Sequence, residues 1–140
     1  MTLSFQVLGV DHLVLRVRDI TCMLDFYENT LGCKLERYVE HVGLWQLRAG
    51  SALIDLVNLE GELGQRLSSE LELSKGNMDH FCLQIAADSL ESVTESLASQ
   101  GVVVSDIKRH YGAQGFGPSI YLDDPEGNTV ELKLHLQQTD

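Results

Sequence analysis

The chain has 140 residues, 44% of them hydrophobic, and 21 acidic against 10 basic side chains give a net charge of −11. That length suits one domain or two fused halves, and the apolar share is enough for a core rather than a disordered chain. The negative field repels phosphate backbones and anionic headgroups, so nucleic acid and membrane are poor partners.

Residues 8–17 alternate and are rich in Val and Leu, which predicts a strand. In "DITCMLDFYENTLG" the period changes: Ile20, Met23, Leu24, Tyr27 and Leu31 fall at helical spacing, with Asp19 as cap and Gly32 at the C′ position. Three strand-like runs follow, "CKLERYVE", "VGLWQLRAG" and "SALIDLVNL". Residues 60–77 are polar and glycine-punctuated, and read as a linker. The order then repeats, starting with a strand over 79–87. The next segment, "DSLESVTESLASQG", predicts a helix in which Asp88 and Glu91 form a capping box, Leu90, Val93 and Leu97 the stripe, and Gly101 the stop. Strands are expected at "VVVSDIKR", "PSIYLDD" and "NTVELKL", the last two joined by the turn "DDPEGN". His80 follows His12 by 68 positions and Gly101 follows Gly32 by 69, so the halves are duplicates. The expectation is one domain over 1–140, made of module 1 (about 8–59), the linker (60–77) and module 2 (about 78–136).

Strand alternation sorts the side chains into two faces. Leu13, Leu15 and Val17, Phe81, Leu83 and Ile85, and Val130, Leu132 and Leu134 make apolar faces suited to packing under the helices. The opposite faces carry His12, His80, Asp55 and Glu131, with Arg16, Gln84 and Lys133. Any one of these is ordinary on a half-exposed sheet. Their recurrence at equivalent points of a repeat is not: two imidazoles and one or two carboxylates converging near a pseudo-twofold axis make a divalent metal site.

On "VDHLVLRVRDI", "DFYENTLGCKL", "MDHFCLQI" and "YLDDPEGNTVELK", the chain resembles the vicinal oxygen chelate superfamily, the glyoxalase / bleomycin-resistance / extradiol-dioxygenase group, over residues 8–134. The resemblance implies an α+β fold, two βαβββ modules forming a cupped, open barrel-like mixed sheet with helices on the outer face. It implies that His12, His80 and Glu131 are metal ligands. Asp55 falls where glyoxalase I members carry a fourth ligand, a Glu, and is one methylene shorter. It then binds directly, binds through water, or serves as the base.

The chemistry implied is lyase or isomerase work on a small substrate with vicinal oxygens. A divalent metal (Fe, Mn, Ni, Co or Zn) stabilises the charge of an enolate-type intermediate, and Glu131 or Asp55 moves the proton. The alternatives are an Fe(II) extradiol-type dioxygenase using the His12, His80 and Glu131 triad, a thiol transferase, and a metal-free sequestering protein of the bleomycin-resistance kind. A homodimer is implied as well.

Substrate contacts are expected from Arg16, Gln84, Lys133 and Tyr111. "HYGAQGFGP" at 110–118 reads as a glycine-rich loop, either closing over the site with His110 and Tyr111 on the substrate or simply connecting two strands. Cys82 reads as a small buried filler, Trp45 as core or cavity wall, and His135 as exposed. Three cysteines at irregular spacing, without CxxC, point to a reducing compartment. With no signal-like N-terminus and no apolar run near 20 residues, the expected location is the cytoplasm.

Overall fold

Alternation along each strand turns one row of Val, Leu and Ile toward a helix, and two separate four-stranded mixed sheets result. The structure is a computed structural model and describes residues 6, 8–62, 78 and 80–135. The chain divides into two units, Met1–Glu72 and Leu73–Asp140. Most of the predicted linker (63–77) and Asp79 lie outside the described residues.

The first unit runs β1 (His12–Val17), α1 (Ile20–Leu24), a π-helical segment (Asp25–Thr30), β2 (Lys34–Val39), a 3-10 turn (Glu40–Val42), β3 (Leu44–Ala49) and β4 (Ala52–Asn58). Its sheet order is β1-β4-β3-β2, with β1 parallel to β4 and the other pairs antiparallel. Asp19 caps α1 as the sequence predicts, accepting from the Cys22 amide at 3.1 Å. The helix does not stay α-helical to Gly32. From Asp25 it widens, with Leu31 N–H reaching the Phe26 carbonyl at 3.0 Å, five residues back. That wider turn buries Phe26 beside Tyr27, edge to face at 5.1 Å, against a core of Leu15, Val17, Met23, Leu47, Ile54 and Leu56. Each such aliphatic side chain contributes about 1.5–3 kcal/mol on full burial.

The second unit runs β5 (His80–Ile85), α2 (Leu90–Ser99), β6 (Lys108–Gly112), β7 (Gly115–Asp123) and β8 (Thr129–Leu134), with sheet order β5-β8-β7-β6 and β5 parallel to β8. Leu90, Leu97, Ile120, Leu122, Val130 and Leu132 form its core. Each unit is therefore a βαβββ module, and the α+β fold of two such modules is the one the sequence predicts.

Three expectations are corrected. The cap of α2 is Ser89, whose Oγ accepts from the Ser92 amide at 3.2 Å, and not the Asp88–Glu91 box. Of the strand expected over 102–109, residues 102–107 do not form one: Val104 makes one isolated bridge to Leu122, and β6 begins only at Lys108. The segment 110–118 is no loop, because Arg109–Gly112 and Gly115–Pro118 pair as a hairpin with its turn at 113–114. Valine-rich sequence specified a strand, but edge pairing was available only further along. The "DDPEGN" turn forms as read: Asp124 Oδ1 accepts from the Glu126 and Asn128 amides at 2.9 Å, and Gly127 takes φ +83°.

Candidate functional site

The duplication is exact at the level of register. On β1, Val14 pairs with Asp55 of β4, so the carboxylate stands opposite the residue two past His12. On β5, Cys82 pairs with Glu131 of β8, two past His80. Paired residues share a face, so each module presents one imidazole and one carboxylate together on the face away from its helix.

In the first module, His12 Nδ1 meets Asp11 Oδ2 at 2.7 Å. That bond, and next the charge of Asp55, hold the imidazole pKa above its ordinary value. A carboxylate on Nδ1 fixes the N–H there and leaves the Nε2 lone pair for a ligand. Asp55 is only 5% exposed. A buried carboxylate needs donors, and Gln46 Nε2 supplies them, at 3.2 Å from each oxygen. Arg37 Nη1 in turn donates to Gln46 Oε1 at 3.1 Å.

In the second module, His80 Nε2 lies 3.2 Å from Glu131 Oε1. Two donors at about 2.1 Å from one cation stand roughly 3.0–3.4 Å apart, so this pair fits a shared divalent ion. The other oxygen of Glu131 lies 3.9 Å from His110 Nδ1, which shares a 2.6 Å hydrogen bond with the buried Ser119 hydroxyl. The Tyr121 ring meets both imidazoles edge on, His80 at 5.4 Å and His110 at 5.5 Å. Beside them is a concavity of about 510 Å³ lined by Val104, Ser105, Asp106, Lys108, His110 and Tyr121. Among the described residues no group of three or more His, Cys, Asp and Glu side chains is arranged to hold a metal ion by itself.

The remaining predicted residues fall in different places. Arg16 shares the face of His12 and is half-buried, and its occluded Nη1 has no hydrogen-bond partner among the described residues. Lys133 is 5% exposed, its ammonium donating to the Gly115 carbonyl at 2.9 Å and its stem lying under Gly112. Gln84 is exposed, with Oε1 3.4 Å from His135 Nδ1. Tyr111 pairs with Phe116 on the face opposite His110 and is not brought to Glu131. Trp45 stacks on Tyr38 at 4.6 Å in the row of Leu56, on the helix side. Cys82 is exposed rather than a buried filler, yet desolvation and then the Glu131 charge push its thiol up to about 11.

Two contributors, Gln46 and Tyr121, are not marked by the sequence, because neither residue type signals chemistry alone. Each stands directly opposite a site carboxylate, on β3 and β7. Their separation of 75 positions, against 76 between Asp55 and Glu131, is the repeat signal that could have found them.

Comparison with known proteins agrees with this architecture. The family model "Glyoxalase/Bleomycin resistance protein/Dioxygenase superfamily" matches residues 9–132. The chain is 30% identical over 127 residues to virulence protein STM3117 of Salmonella typhimurium, covering 91% of this chain and 84% of that one. It is 26% identical over 129 residues to metallothiol transferase FosB of Bacillus licheniformis, covering 91% and 75%. Among solved structures, integron cassette protein VCH_CASS1 of V. cholerae matches with TM-score 0.74 and 29% identity, covering 96% of this chain and all of that one. Among the described residues no helix is long and apolar enough to cross a membrane. With its twin βαβββ modules and a family match spanning nearly the whole length, the chain belongs to the glyoxalase/bleomycin resistance protein/dioxygenase superfamily.

Proposed function

We propose that the protein is a metal-dependent, glyoxalase-like enzyme of the lyase/isomerase kind, acting on a small substrate with neighbouring oxygens. The observation that carries this reading is the repeated register, which gives each module a His–carboxylate pair, with His80 and Glu131 already at a spacing suited to one cation. His12, His80 and Glu131 are the proposed ligands, and Asp55 the fourth. The two half-sites are supplied within one chain or by two copies in a homodimer. When bound, the divalent cation would stabilise negative charge developing on a substrate oxygen.

The chain's own residues do the rest. Asp11, engaged with Nδ1 of His12, leaves the ring's Nε2 for the cation. Glu131 or Asp55 takes a proton from the substrate and returns it. Arg16, whose buried Nη1 lacks a partner among the described residues, is suited to an anionic group on the substrate. Gln84 and Lys133 are assigned lesser contacts, and Tyr111, on the other face of β6 from His110, is assigned none at this site.

Likeness to the metallothiol transferase supports a second reading, thiol addition at the same site. Metal analysis of the purified protein, followed by His80→Ala, tests the scheme. Removing a direct ligand should weaken cation binding by at least the ~10–100-fold typical of lost supporting partners. Full occupancy in the variant would remove His80 from the site. Assays on small substrates with neighbouring oxygens, run with and without an added thiol, separate the two chemistries.

A further inference from the structure

We propose, resting on the metal-site reading above, that Arg37 and Gln46 are positioning residues that orient Asp55 for direct ligation of the cation. The inference comes from one row of side chains across three adjacent strands. Arg37 on β2 pairs with Gln46 on β3, which pairs with Asp55 on β4. A glutamine amide has a donor end and an acceptor end, and nothing in its own shape decides which end faces the carboxylate. Arg37 decides it. The guanidinium holds Gln46 Oε1 at 3.1 Å, so the Nε2 end must face Asp55, where it reaches both oxygens at 3.2 Å. The carboxylate is thereby held in one orientation, the condition a short Asp side chain needs to serve as a ligand in place of a longer Glu.

The placement of Arg37 depends on an irregularity in β2. Leu35 pairs with Leu47, and regular antiparallel pairing would next set Glu36 opposite Gln46. A carboxylate there would attract the amide nitrogen and turn the carbonyl oxygen toward Asp55, oxygen against oxygen. The β-bulge between Leu35 and Arg37 slips the register by one, so a cation ends the row. Glu36 is taken up instead by Arg48, at 2.7 Å.

The test is titration of the full-length, metal-stripped protein with Mn²⁺ and with Zn²⁺ by calorimetry, needing no substrate. Gln46→Leu should raise the dissociation constant about 10–100-fold, as loss of a ligand-orienting partner does elsewhere. Asp55→Asn should do the same, and the double variant should lose no more than the worse single one, because both act through one carboxylate. Arg37 is exposed, so Arg37→Met keeps the chain folded while freeing the amide to turn; it should weaken binding too, and Arg37→Lys should restore most of it. Melting temperatures in chelator monitor any general destabilisation. Wild-type affinity in both Gln46→Leu and Arg37→Met, alongside a loss in Glu131→Gln, overturns this inference and leaves the metal site standing. A wild-type chain that takes up neither cation overturns both.

Discussion

Cys82 shows how little a residue's exposure says about its chemistry. The thiol reaches solvent, but it stands beside Glu131 of the neighbouring strand β8, and partial desolvation together with that charge raises its pKa to about 11. Only the thiolate attacks an electrophile. Iodoacetamide at pH 8 should therefore label Cys82 slowly, with a rate climbing steadily toward pH 11. In Glu131→Gln, the secondary charge effect is gone and the climb should begin at lower pH. Fast labelling at pH 8, followed by peptide mass analysis, would contradict that environment. Its structural counterpart Val14 pairs with Asp55, so the module copies share a scaffold while the side chains beside the carboxylates have diverged.

At the scale of single elements, helix ends and strand edges are where the sequence misled. Asp88 and Ser89 are both capable caps, and only the backbone settles the choice: Ser89 sits at φ −161°, ψ 157° and its Oγ reaches the Ser92 amide. Ser89→Ala should cost about 1 kcal/mol in urea unfolding, while Asp88→Ala should cost only a few tenths. Equal losses would return the cap to Asp88. The late start of β6 has the same kind of cause. Residues 102–107 have strand-like composition, but the β7 edge accepts continuous pairing only from Lys108 onward, and the consequence is that His110 lands on a strand beside Glu131 instead of on a loop. Lys133 follows from that hairpin as well: a Cβ added at Gly112 would stand 3.2 Å from Lys133 Cε, so the glycine spares the stem a shift of a few tenths of an ångström.

On the scale of the whole molecule, a cation that binds the folded protein and not the unfolded chain must stabilise it. At a hundredfold excess over its dissociation constant, one bound Zn²⁺ or Mn²⁺ should add about 2.7 kcal/mol. Thermal melting of stripped protein with rising cation should shift upward, and Glu131→Gln should abolish the shift. An unchanged midpoint in the wild-type chain would count directly against a metal site. Since the proposed ligands are split between the two modules, the same titration followed by light scattering will report whether one chain or a dimer takes up the cation.

Local sequence determined a good deal of this protein. Period and turn residues place seven of the eight strands found among the described residues within a few positions, and the repeat by itself singles out His12, His80, Asp55 and Glu131. Those signals survive because alternation and capping depend on neighbours a few positions away. Pairing decided the rest. Gln46 became a partner of Asp55 through strands that meet across a turn, Arg37 reached Gln46 through a one-residue slip, and His110 approached Glu131 by the closing of a hairpin. Register between strands is set by the packing of whole sheets, so which polar groups touch one another was decided only when the chain folded.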